Sequence, residues 1–221
     1  MTPIVSIVGR SKSGKTTIIE RLIPELSRRG YRVATIKHHM GDFEIDYRGK
    51  DSWRHKEAGA QTVVISSPQK VALIRDVPRD LALDELAALF IREADIIITE
   101  GFKQEGHPKV EVFREEVHPY PLASELKNLI AVVSDKPLQL DVPSLNVNDI
   151  SKLADIIEKH VIWPHAHKER DTILWVDGRI IPLGPFANAI ISKTIQGMVS
   201  SLKGCASPTE IEIRLKLRER R

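Results

Sequence analysis

The stretch that most constrains this chain is GRSKSGKTT, residues 9–17, which follows directly on a short apolar run. Its Gly9, Gly14, Lys15 and Thr16 fit G-x-x-x-x-G-K-[ST], the pattern of a phosphate-binding loop. With glycine at about 7% of residues, such a match arises by chance in about one chain in a hundred of this size. The pattern requires a strand before it and a helix after it, so the flanking sequence tests it.

The flanking sequence predicts both elements. Residues 3–9, PIVSIVG, form a β-branched run that predicts a buried strand ending in glycine. Residues 16–29 predict an amphipathic helix that Gly30 ends, and Pro24 inside it is expected to bend or split that helix. Residues 31–37, YRVATIK, predict a second strand. The loop therefore lies in the βαβ setting that its pattern requires.

Beyond the second strand, strand and helix patterns alternate up to about residue 160. Strands are predicted over residues 61–66, 70–74, 95–101, 109–115 and 129–135. Helices are predicted over residues 51–58, capped by Asp51 or Ser52, over 81–94, capped by Asp80 or begun near Asp84, and from Asn148 as a cap to about His160. This alternation predicts an α/β fold, a P-loop NTPase with a mostly parallel sheet flanked by helices.

The C-terminal part has a different pattern. Residues 163–171, WPHAHKERD, are typical of a linker, and residues 172–183 place Asp-Gly between two apolar arms, as a type I′ hairpin does. Residues 185–204 predict a helix that starts at proline and ends before glycine. Residues 209–217, TEIEIRLKL, alternate apolar and polar side chains and predict a final strand.

These patterns predict two domains. Residues 1–165 form the domain with the phosphate loop, and residues 170–221 form a small ββαβ module. A module of that size is marginal alone, so we expect it to pack on the first domain or on a second subunit.

Composition narrows the cellular setting. Hydrophobic residues make up 42% and charged residues 29% of the 221 residues, an ordinary globular balance. Cys205 is the single cysteine, which indicates a reducing compartment. The N-terminus lacks a signal-peptide pattern, and no stretch approaches the roughly 18 apolar residues of a membrane span. We expect a cytoplasmic protein with no membrane partner.

Nucleic acid is not an expected partner either. The net charge of +3 is small, and the basic C-terminal stretch RLKLRERR has no interleaved aromatic residues. We interpret this stretch as a solvated strand end.

The chemistry of a phosphate loop depends on its backbone. Successive N–H groups face one concavity, and the following helix adds its N-terminal dipole. Lys15 is expected to reach the β- and γ-phosphates of a nucleotide, and Thr16 to place its hydroxyl on Mg²⁺. The candidate nucleotide-binding residues of the loop are Gly9, Arg10, Ser11, Lys12, Ser13, Gly14, Lys15, Thr16 and Thr17. Arg10 and Lys12 either contact phosphate or are solvated loop charges.

A second part of the site is predicted in ADIIITEG, residues 94–101. Glu100 follows a buried strand at its carboxyl end, where α/β sheets place ligands, and can hold Mg²⁺ directly or through water. Asp95 starts the same strand, roughly 17 Å away on extended backbone. This geometry favours Glu100, which could otherwise be a helix or loop cap.

The polar, glycine-punctuated stretch HHMGDFEIDYRGKDS, residues 38–52, is typical of a switch or lid, and we call it the lid segment. Its acidic residues are candidates for positioning water or the Mg²⁺ shell, and Asp46 is the one we include among the catalytic candidates, with Lys15 and Glu100. Its two adjacent histidines point opposite ways on extended backbone, so they do not readily share a metal, but one can contact substrate. The residues in question are His38, His39, Asp42, Glu44, Asp46, Lys50 and Asp51.

A third part is predicted in AVVSDKP, residues 131–137. Asp135 follows a late strand, where guanine-selective P-loop proteins hold N1 and N2 of the base with a carboxylate. The alternative is that Asp135 is a turn residue before Lys136 and Pro137.

The order and spacing of GRSKSGKTT, VATIKHH, DYRGKDSWRHKEAGA and IIITEGFK resemble the MobB family, molybdopterin-guanine dinucleotide biosynthesis protein B. The resemblance covers about residues 3–160. It implies a P-loop GTP-binding fold, usually dimeric, similar in class to the GTPases that assist nickel-enzyme maturation. It also implies binding of GTP with slow hydrolysis at most, and assistance to the MobA nucleotidyltransferase in attaching GMP to molybdopterin.

The resemblance carries over to particular residues. Gly9 to Thr17 match the family's phosphate loop, and Glu100 with Gly101, Phe102 and Lys103 matches its TEGFK element, with Glu100 on the Mg²⁺ side. The second signature, a set of pterin or switch candidates, is matched by Lys37, His38, Asp46, Lys50, Asp51 and Ser52. The guanine-reading N-K-x-D is replaced by SDK, and residues 172–221 lie beyond the shorter family members.

The motifs together with this resemblance imply a homodimeric GTP- and Mg²⁺-binding protein, at most a slow GTPase, that assists a MobA-type nucleotidyltransferase acting on molybdopterin. One alternative is a small-molecule kinase on the same fold, for which Arg48 and Arg54 are the only nearby candidate arginines. Another is a non-catalytic protein that uses nucleotide only as a conformational clamp.

Overall fold

The structure is a computed structural model that describes residues 2–39, 41–166, 172–177, 179–181, 183–208, 210–213 and 215. The chain divides into two compact units, residues 2–166 and residues 167–221. Each unit is described by itself below.

The first unit alternates strands and helices. Its strands are β1 (Ile4–Val8), β2 (Val33–Lys37), β3 (Thr62–Ser66), β4 (Val71–Arg75), β5 (Ile96–Glu100), β6 (Lys109–Phe113), β7 (Leu129–Ser134) and β8 (Ser144–Asn146). Its α-helices are α1 (Lys15–Arg28), α2 (Asp51–Glu57), α3 (Leu83–Phe90), α4 (Ile150–Ile157) and α5 (Trp163–Ala166). A 3₁₀ turn lies at Ala123–Glu125, and a π-helical stretch, Glu158–Ile162, joins α4 to α5.

A six-stranded sheet in the order β2-β5-β1-β6-β7-β8 forms the centre of this unit. Every pairing in it is parallel. The carboxyl ends of all these strands therefore meet at one edge, where an α/β sheet binds ligands. The prediction of a mostly parallel α/β sheet is confirmed.

One face of the sheet carries the main core. Helices α1 and α4 pack there against alternate side chains of the central strands. Because both faces of these strands are covered, they carry apolar side chains along most of their length. The fully buried members include Val5, Ile7, Leu22, Leu26, Ile96, Ile98, Val110, Leu153 and Ile157. The opposite face carries a smaller cluster in which α3 supplies Leu83 and Ala87.

Helix α1 begins at Lys15, one residue before the predicted stretch, and is continuous through Pro24. Of the two expected effects of this proline, bending or splitting the helix, the split does not occur. Its end is as predicted: Gly30 has φ 93°, and the N–H of Tyr31 donates to the carbonyl of Leu26 at 3.1 Å. This Schellman motif turns the chain into β2.

The segment between β2 and β5 departs from the main sheet. Strands β3 and β4 are predicted correctly, but they pair antiparallel as a separate two-stranded sheet. The short connection, SPQ, can only close a hairpin, whereas a parallel pair needs a long crossover. The apolar side chains exposed on this hairpin are Val64, Ile65, Val71 and Leu73.

Several predicted boundaries are wrong. The N-cap positions are Lys50 for α2, Ala82 for α3 and Asp149 for α4, in place of Asp51 or Ser52, Asp80, and Asn148. The alternative that α3 begins near Asp84 is confirmed, since the helix starts at Leu83. Helix α3 stops at Phe90, and strand β8 was not predicted. The Glu85 carboxylate accepts the Ala82 N–H at 2.9 Å, which replaces a side-chain cap at that helix start.

The predicted linker begins as helix α5, and its residues 167–171 lie outside the described part.

The second unit contains a hairpin and a helix. Strands β9 (Leu174–Val176) and β10 (Arg179–Ile181) pair antiparallel, and helix α6 runs from Pro185 to Ser200. Asp177 has φ 49°, the left-handed conformation that the first central residue of a type I′ turn needs. Of the predicted final strand over residues 209–217, the described residues 210–213 and 215 are not in a strand. That part of the ββαβ prediction is not borne out in the described residues.

Candidate functional site

The phosphate loop is shaped by its glycines. A Cβ at Gly9 would lie 2.4 Å from the carbonyl oxygen of Val112, and Gly9 has φ 150°, so only glycine fits between β1 and β6. Gly14 has φ 94° and is the N-cap of α1. The loop thus wraps around the start of α1, where free backbone N–H groups and the helix dipole favour an anion.

Lys15 lies inside this loop. Its Nζ donates to the carbonyl of Arg10 at 2.8 Å, which spans the loop. Partial burial of the ammonium lowers the pKa of Lys15, and the positive charges of Lys103 and Lys37 lower it further, while Glu100 opposes the change. The cation is therefore held where an anionic ligand would relieve both its desolvation and its repulsion.

Thr16 and Glu100 meet above the loop. The Thr16 hydroxyl lies 3.2 and 3.3 Å from the two carboxylate oxygens of Glu100, at the end of β5. Lys37 pairs with Glu100 in the register of β2 and β5, and its Nζ lies 3.9 Å from the carboxylate. A hydroxyl beside a carboxylate is a donor set that suits Mg²⁺, which completes its octahedron with water and phosphate oxygens. Asp95, at the opposite end of β5, forms an ion pair with Arg32 at 3.0 Å.

The turn after β5 holds His38. Gly101 and Phe102 have φ 104° and 56°, so the chain turns sharply away from the sheet. The His38 ring lies 4.9 Å from the Phe102 ring, centroid to centroid, and its Nε2 lies 3.1 Å from a carboxylate oxygen of Asp80. His38 is therefore fixed beside the carboxyl end of β5, and Asp80, which sequence reasoning treated only as a helix cap, fixes it.

His39 turns away from His38. Its Nδ1 lies 3.1 Å from both the N–H and the carbonyl oxygen of Gly41, within its own loop. The residues that the structure describes contain no cluster of three or more histidine, cysteine or acidic side chains that could hold a metal. A magnesium ion here would therefore depend on Thr16, Glu100 and the ligand's own oxygens.

The rest of the lid segment is not assembled with the loop. Asp46 accepts the N–H of Tyr47 at 2.8 Å with one oxygen, while its other oxygen is buried without a partner. Asp51 has a side chain 90% exposed and lies 3.8 Å from Arg54. In the described part of the chain, no hydrogen bond or ion pair joins the acidic lid residues, Lys50 or Ser52 to the phosphate loop or Glu100.

Asp135 lies at the same edge of the sheet as the loop. It follows β7, the second strand from β1, and its exposed carboxylate accepts the Ser134 hydroxyl at 3.3 Å. The same hydroxyl accepts the Lys136 N–H at 3.3 Å, which fixes the turn. The carboxylate is thus available to a ligand that extends sideways from the phosphate loop.

Sequence analysis did not single out two residues in or just after β6, Glu111 and Arg114, as candidate site residues. The guanidinium of Arg114 packs against Gly14: a Cβ built there would lie 3.1 Å from Nη2. Glu111 is buried, and one of its oxygens accepts the Leu122 N–H at 2.6 Å while the other has no partner. Burial raises the pKa of Glu111. An acid between two valines of an apolar strand was the available sequence clue for Glu111, whereas nothing local indicated Arg114.

The parallel sheet, the loop after β1 and the acid after β5 define a P-loop NTPase-like fold. The family model described as Molybdopterin guanine dinucleotide synthesis protein B, MobB, matches residues 4–135. The chain belongs to this family.

Curated relatives agree with this assignment. Over 165 residues the chain is 42% identical to the molybdopterin-guanine dinucleotide biosynthesis adapter protein of Haemophilus influenzae, covering 74% of this chain and 90% of that protein. It is 39% identical over 162 residues to the Escherichia coli protein of the same name, covering 71% and 92% of the two chains. A putative adapter protein of Methanocaldococcus jannaschii is 26% identical over 234 residues and covers 96% of this chain, so the match extends into the second unit.

Solved structures give the same result. A crystal structure of molybdopterin-guanine biosynthesis protein B superposes with a TM-score of 0.55 and 34% identity, over 71% of this chain and 98% of that one. The crystal structure of Bacillus subtilis MobB gives a TM-score of 0.58 and 28% identity, over 72% and 98%. Among the described residues, no helix is long and apolar enough to cross a membrane.

Proposed function

We propose that this protein binds GTP with Mg²⁺ and acts as an adapter in the conversion of molybdopterin to molybdopterin guanine dinucleotide. Its partner would be a MobA-type nucleotidyltransferase. The observation that carries the proposal is the convergence of Lys15, Thr16 and Glu100 at the N-terminus of α1. The name shared by its relatives supports the pathway.

The chemistry of the three side chains suits a magnesium nucleotide. Lys15 would contact the β- and γ-phosphates as a point charge, and Thr16 would place its hydroxyl on the metal. Glu100 would hold the metal from the β5 side, directly or through water. The bound ion would reduce repulsion between the phosphates and link them to β5.

Guanine selectivity is proposed for Asp135. A carboxylate accepts hydrogen bonds from both N1 and N2 of guanine, whereas adenine lacks that pair of donors. Its position two strands from the loop supports a base contact, because a nucleotide extends sideways across the strand ends.

An adapter is a better proposal than a rapid hydrolase. In the described residues, neither a histidine nor a second carboxylate hydrogen-bonds to Lys15 or Glu100, so that part of the chain places no poised general base beside them. Efficient general-base catalysis needs such a group within hydrogen-bond reach of the attacking water. We therefore infer slow GTP hydrolysis at most.

The lid segment and the β3–β4 hairpin are proposed to act with other molecules. Phe43, Ile45 and Tyr47 of the lid are more than half exposed, at 63%, 68% and 78%. We propose that a cytoplasmic homodimer covers part of this surface and the hairpin. The pterin would then be contacted near Lys37, His38, Lys50, Asp51 and Ser52.

The second unit is proposed as a docking or dimer-extending module. Its apolar side chains Ile173, Phe186, Ile190 and Met198 are exposed within the described residues. Deleting residues 172–221 and measuring molar mass by light scattering, together with partner binding, tests this role. Unchanged dimerisation and partner binding would rule it out.

A reconstituted assay tests the proposed function. MobA-type nucleotidyltransferase, molybdopterin and Mg²⁺-GTP are incubated with and without this protein, and molybdopterin guanine dinucleotide is quantified. We expect more product with the wild type than without it, and no gain with Lys15→Ala. Equal product in all three reactions would reject the adapter role.

The kinase alternative has no comparable support. Of the two arginines that a kinase would use, Arg54 lies in α2 beside Asp51. Phosphate transfer from ATP to a metabolite at a rate well above hydrolysis would revive it.

A further inference from the structure

The end of strand β6 places an arginine on the phosphate loop. In the space left by the absent side chain of Gly14, the Arg114 Nη2, Nε and Cζ atoms lie 3.1, 3.3 and 3.4 Å from a Cβ built at that position. Gly14 therefore serves two purposes: it adopts φ 94°, and it leaves room for a guanidinium against the N-terminus of α1.

This guanidinium has no acidic partner in the described part of the chain. No hydrogen bond or ion pair joins it to another described side chain, whereas the adjacent Glu115 forms an ion pair with Lys136. An arginine packed on a loop that already holds Lys15 adds positive charge there, and no described carboxylate pairs with the guanidinium itself. Such an arrangement is favourable when an anion binds there.

The position of Arg114 along the sheet edge indicates which anion. Strand β6 lies between β1 and β7, with Glu111 opposite Val8 and Phe113 opposite Ser134. Arg114 therefore lies between the phosphate loop, which follows β1, and Asp135, which follows β7. A nucleotide with its β- and γ-phosphates at the loop and its base toward Asp135 would pass its α-phosphate over this guanidinium.

The backbone that carries Arg114 is held in place. Its carbonyl accepts the N–H groups of Val117 and His118 at 3.0 and 3.1 Å. Buried Glu111 accepts the Leu122 N–H and so ties the connection after Arg114 to the sheet. A backbone that is ordered before binding reduces the entropy lost when the ligand arrives.

We propose that Arg114 binds the α-phosphate of a guanine nucleoside di- or triphosphate, which rests on the proposed nucleotide-binding function. Its planar fork can donate two parallel hydrogen bonds to phosphate oxygens, which a lysine cannot. The contact is common to GDP and GTP, unlike a contact to the γ-phosphate. Arg114 is thus a nucleotide-affinity residue and no part of the phosphate-loop motif.

The test is calorimetric titration of the full-length protein with GTP and with GDP, each with Mg²⁺. We expect Arg114→Ala to weaken both nucleotides by a similar factor, about 10- to 100-fold. Arg114→Lys should recover only part of the loss. The matched control, Arg28→Ala, removes a positive charge from the far end of α1 and should leave both affinities unchanged.

The outcomes separate this proposal from the one it rests on. Affinities of Arg114→Ala and Arg114→Lys within twofold of the wild type would overturn the assignment, and so would a loss for GTP alone, which would place the guanidinium at the γ-phosphate. A wild type that binds neither nucleotide would remove the proposed function and this assignment together. A wild type that binds ATP and GTP equally would remove guanine selectivity alone, and ATP and ADP would then test Arg114 in the same way.

Discussion

The phosphate loop and the lid segment both lie in the range that matches the family model, but they differ in how far the structure orders them. The loop has its glycines at positive φ, its lysine bonded across it and its threonine beside Glu100. The lid has exposed apolar side chains and acids that do not reach the loop in the described residues. The proposed nucleotide half of the site is thus formed within the described residues, and we propose that the lid half forms with a ligand or another protein.

The physical origin of this difference is the sheet. The loop and Glu100 are positioned by buried parallel strands whose register fixes their ends relative to one another. The lid connects β2 to α2 and has no strand or core packing of its own over residues 41–50. Segments with few buried contacts are the ones that rearrange on binding at low cost.

After Lys15, the largest effect expected within the formed half concerns Glu100. Glu100→Gln removes the negative charge that would hold Mg²⁺ and keeps the size of the side chain. We expect GTP affinity measured with Mg²⁺ to fall about 10- to 100-fold, and affinity measured with a chelator to change little. The matched control is Glu116→Gln, an exposed acid beyond β6. Equal losses with and without Mg²⁺ would mean that Glu100 does not act through the metal.

The next effect concerns the base. Asp135→Asn replaces one of the two acceptors by a donor, so the ratio of GTP to ATP affinity should fall by about tenfold. Competitive titration of both nucleotides measures this ratio, with Asp141→Asn as the control. An unchanged ratio would remove Asp135 from base recognition.

The lid should behave in the opposite way. Asp46→Asn and Asp51→Asn are expected to change GTP affinity by about twofold or less. Neither side chain is bonded to the loop in the described residues, and substitutions away from a binding site have small effects. The same variants should lower the gain in molybdopterin guanine dinucleotide in the reconstituted assay. A large loss of GTP affinity would show that the lid closes over the nucleotide without a partner.

The smallest effect concerns stability. Burial raises the pKa of Glu111 above its unfolded value, so the folded state is weakened as pH rises through the folded pKa. Glu111→Gln keeps the acceptor for Leu122 and removes this cost, so it should raise the melting temperature at pH 7, by about 2–4 °C for each kcal/mol recovered.

The pH dependence checks the sign of this effect. As pH falls through the folded pKa, the wild type protonates Glu111, and the gap to Glu111→Gln should close. A gap that widens as pH falls would show that the ionised carboxylate stabilises the fold, through Arg10 and Lys103.

The sequence is informative where a motif is local. The loop and its flanking strand and helix could be predicted because they are contiguous, and Glu100 because the end of a buried strand defines its place. Arg114 could not be predicted, because its contact with Gly14 depends on β6 lying beside β1. Asp80 meets His38 only through the chain that returns from the β3–β4 hairpin.

Helix caps were predicted less well, for a reason visible at α3. The residues with cap-forming side chains, Asp80 and Asp84, flank the true start, and Glu85 satisfies the first N–H from within the helix. The final strand over residues 209–217 was inferred from the alternation of apolar and polar residues alone. Such alternation indicates a half-buried surface, but it does not show that a neighbouring strand is there to pair with.

The most direct test of the account is competitive binding of GTP and ATP to the purified protein and to Lys15→Ala, with and without Mg²⁺. The account predicts Mg²⁺-dependent binding with a clear preference for GTP. In Lys15→Ala, the GTP affinity should fall by about 100-fold or more, because the charged contact to phosphate is lost and the other phosphate contacts weaken with it. Binding of neither nucleotide by the wild type, or equal binding by Lys15→Ala, would contradict the claim that the loop is a nucleotide site complete within one chain.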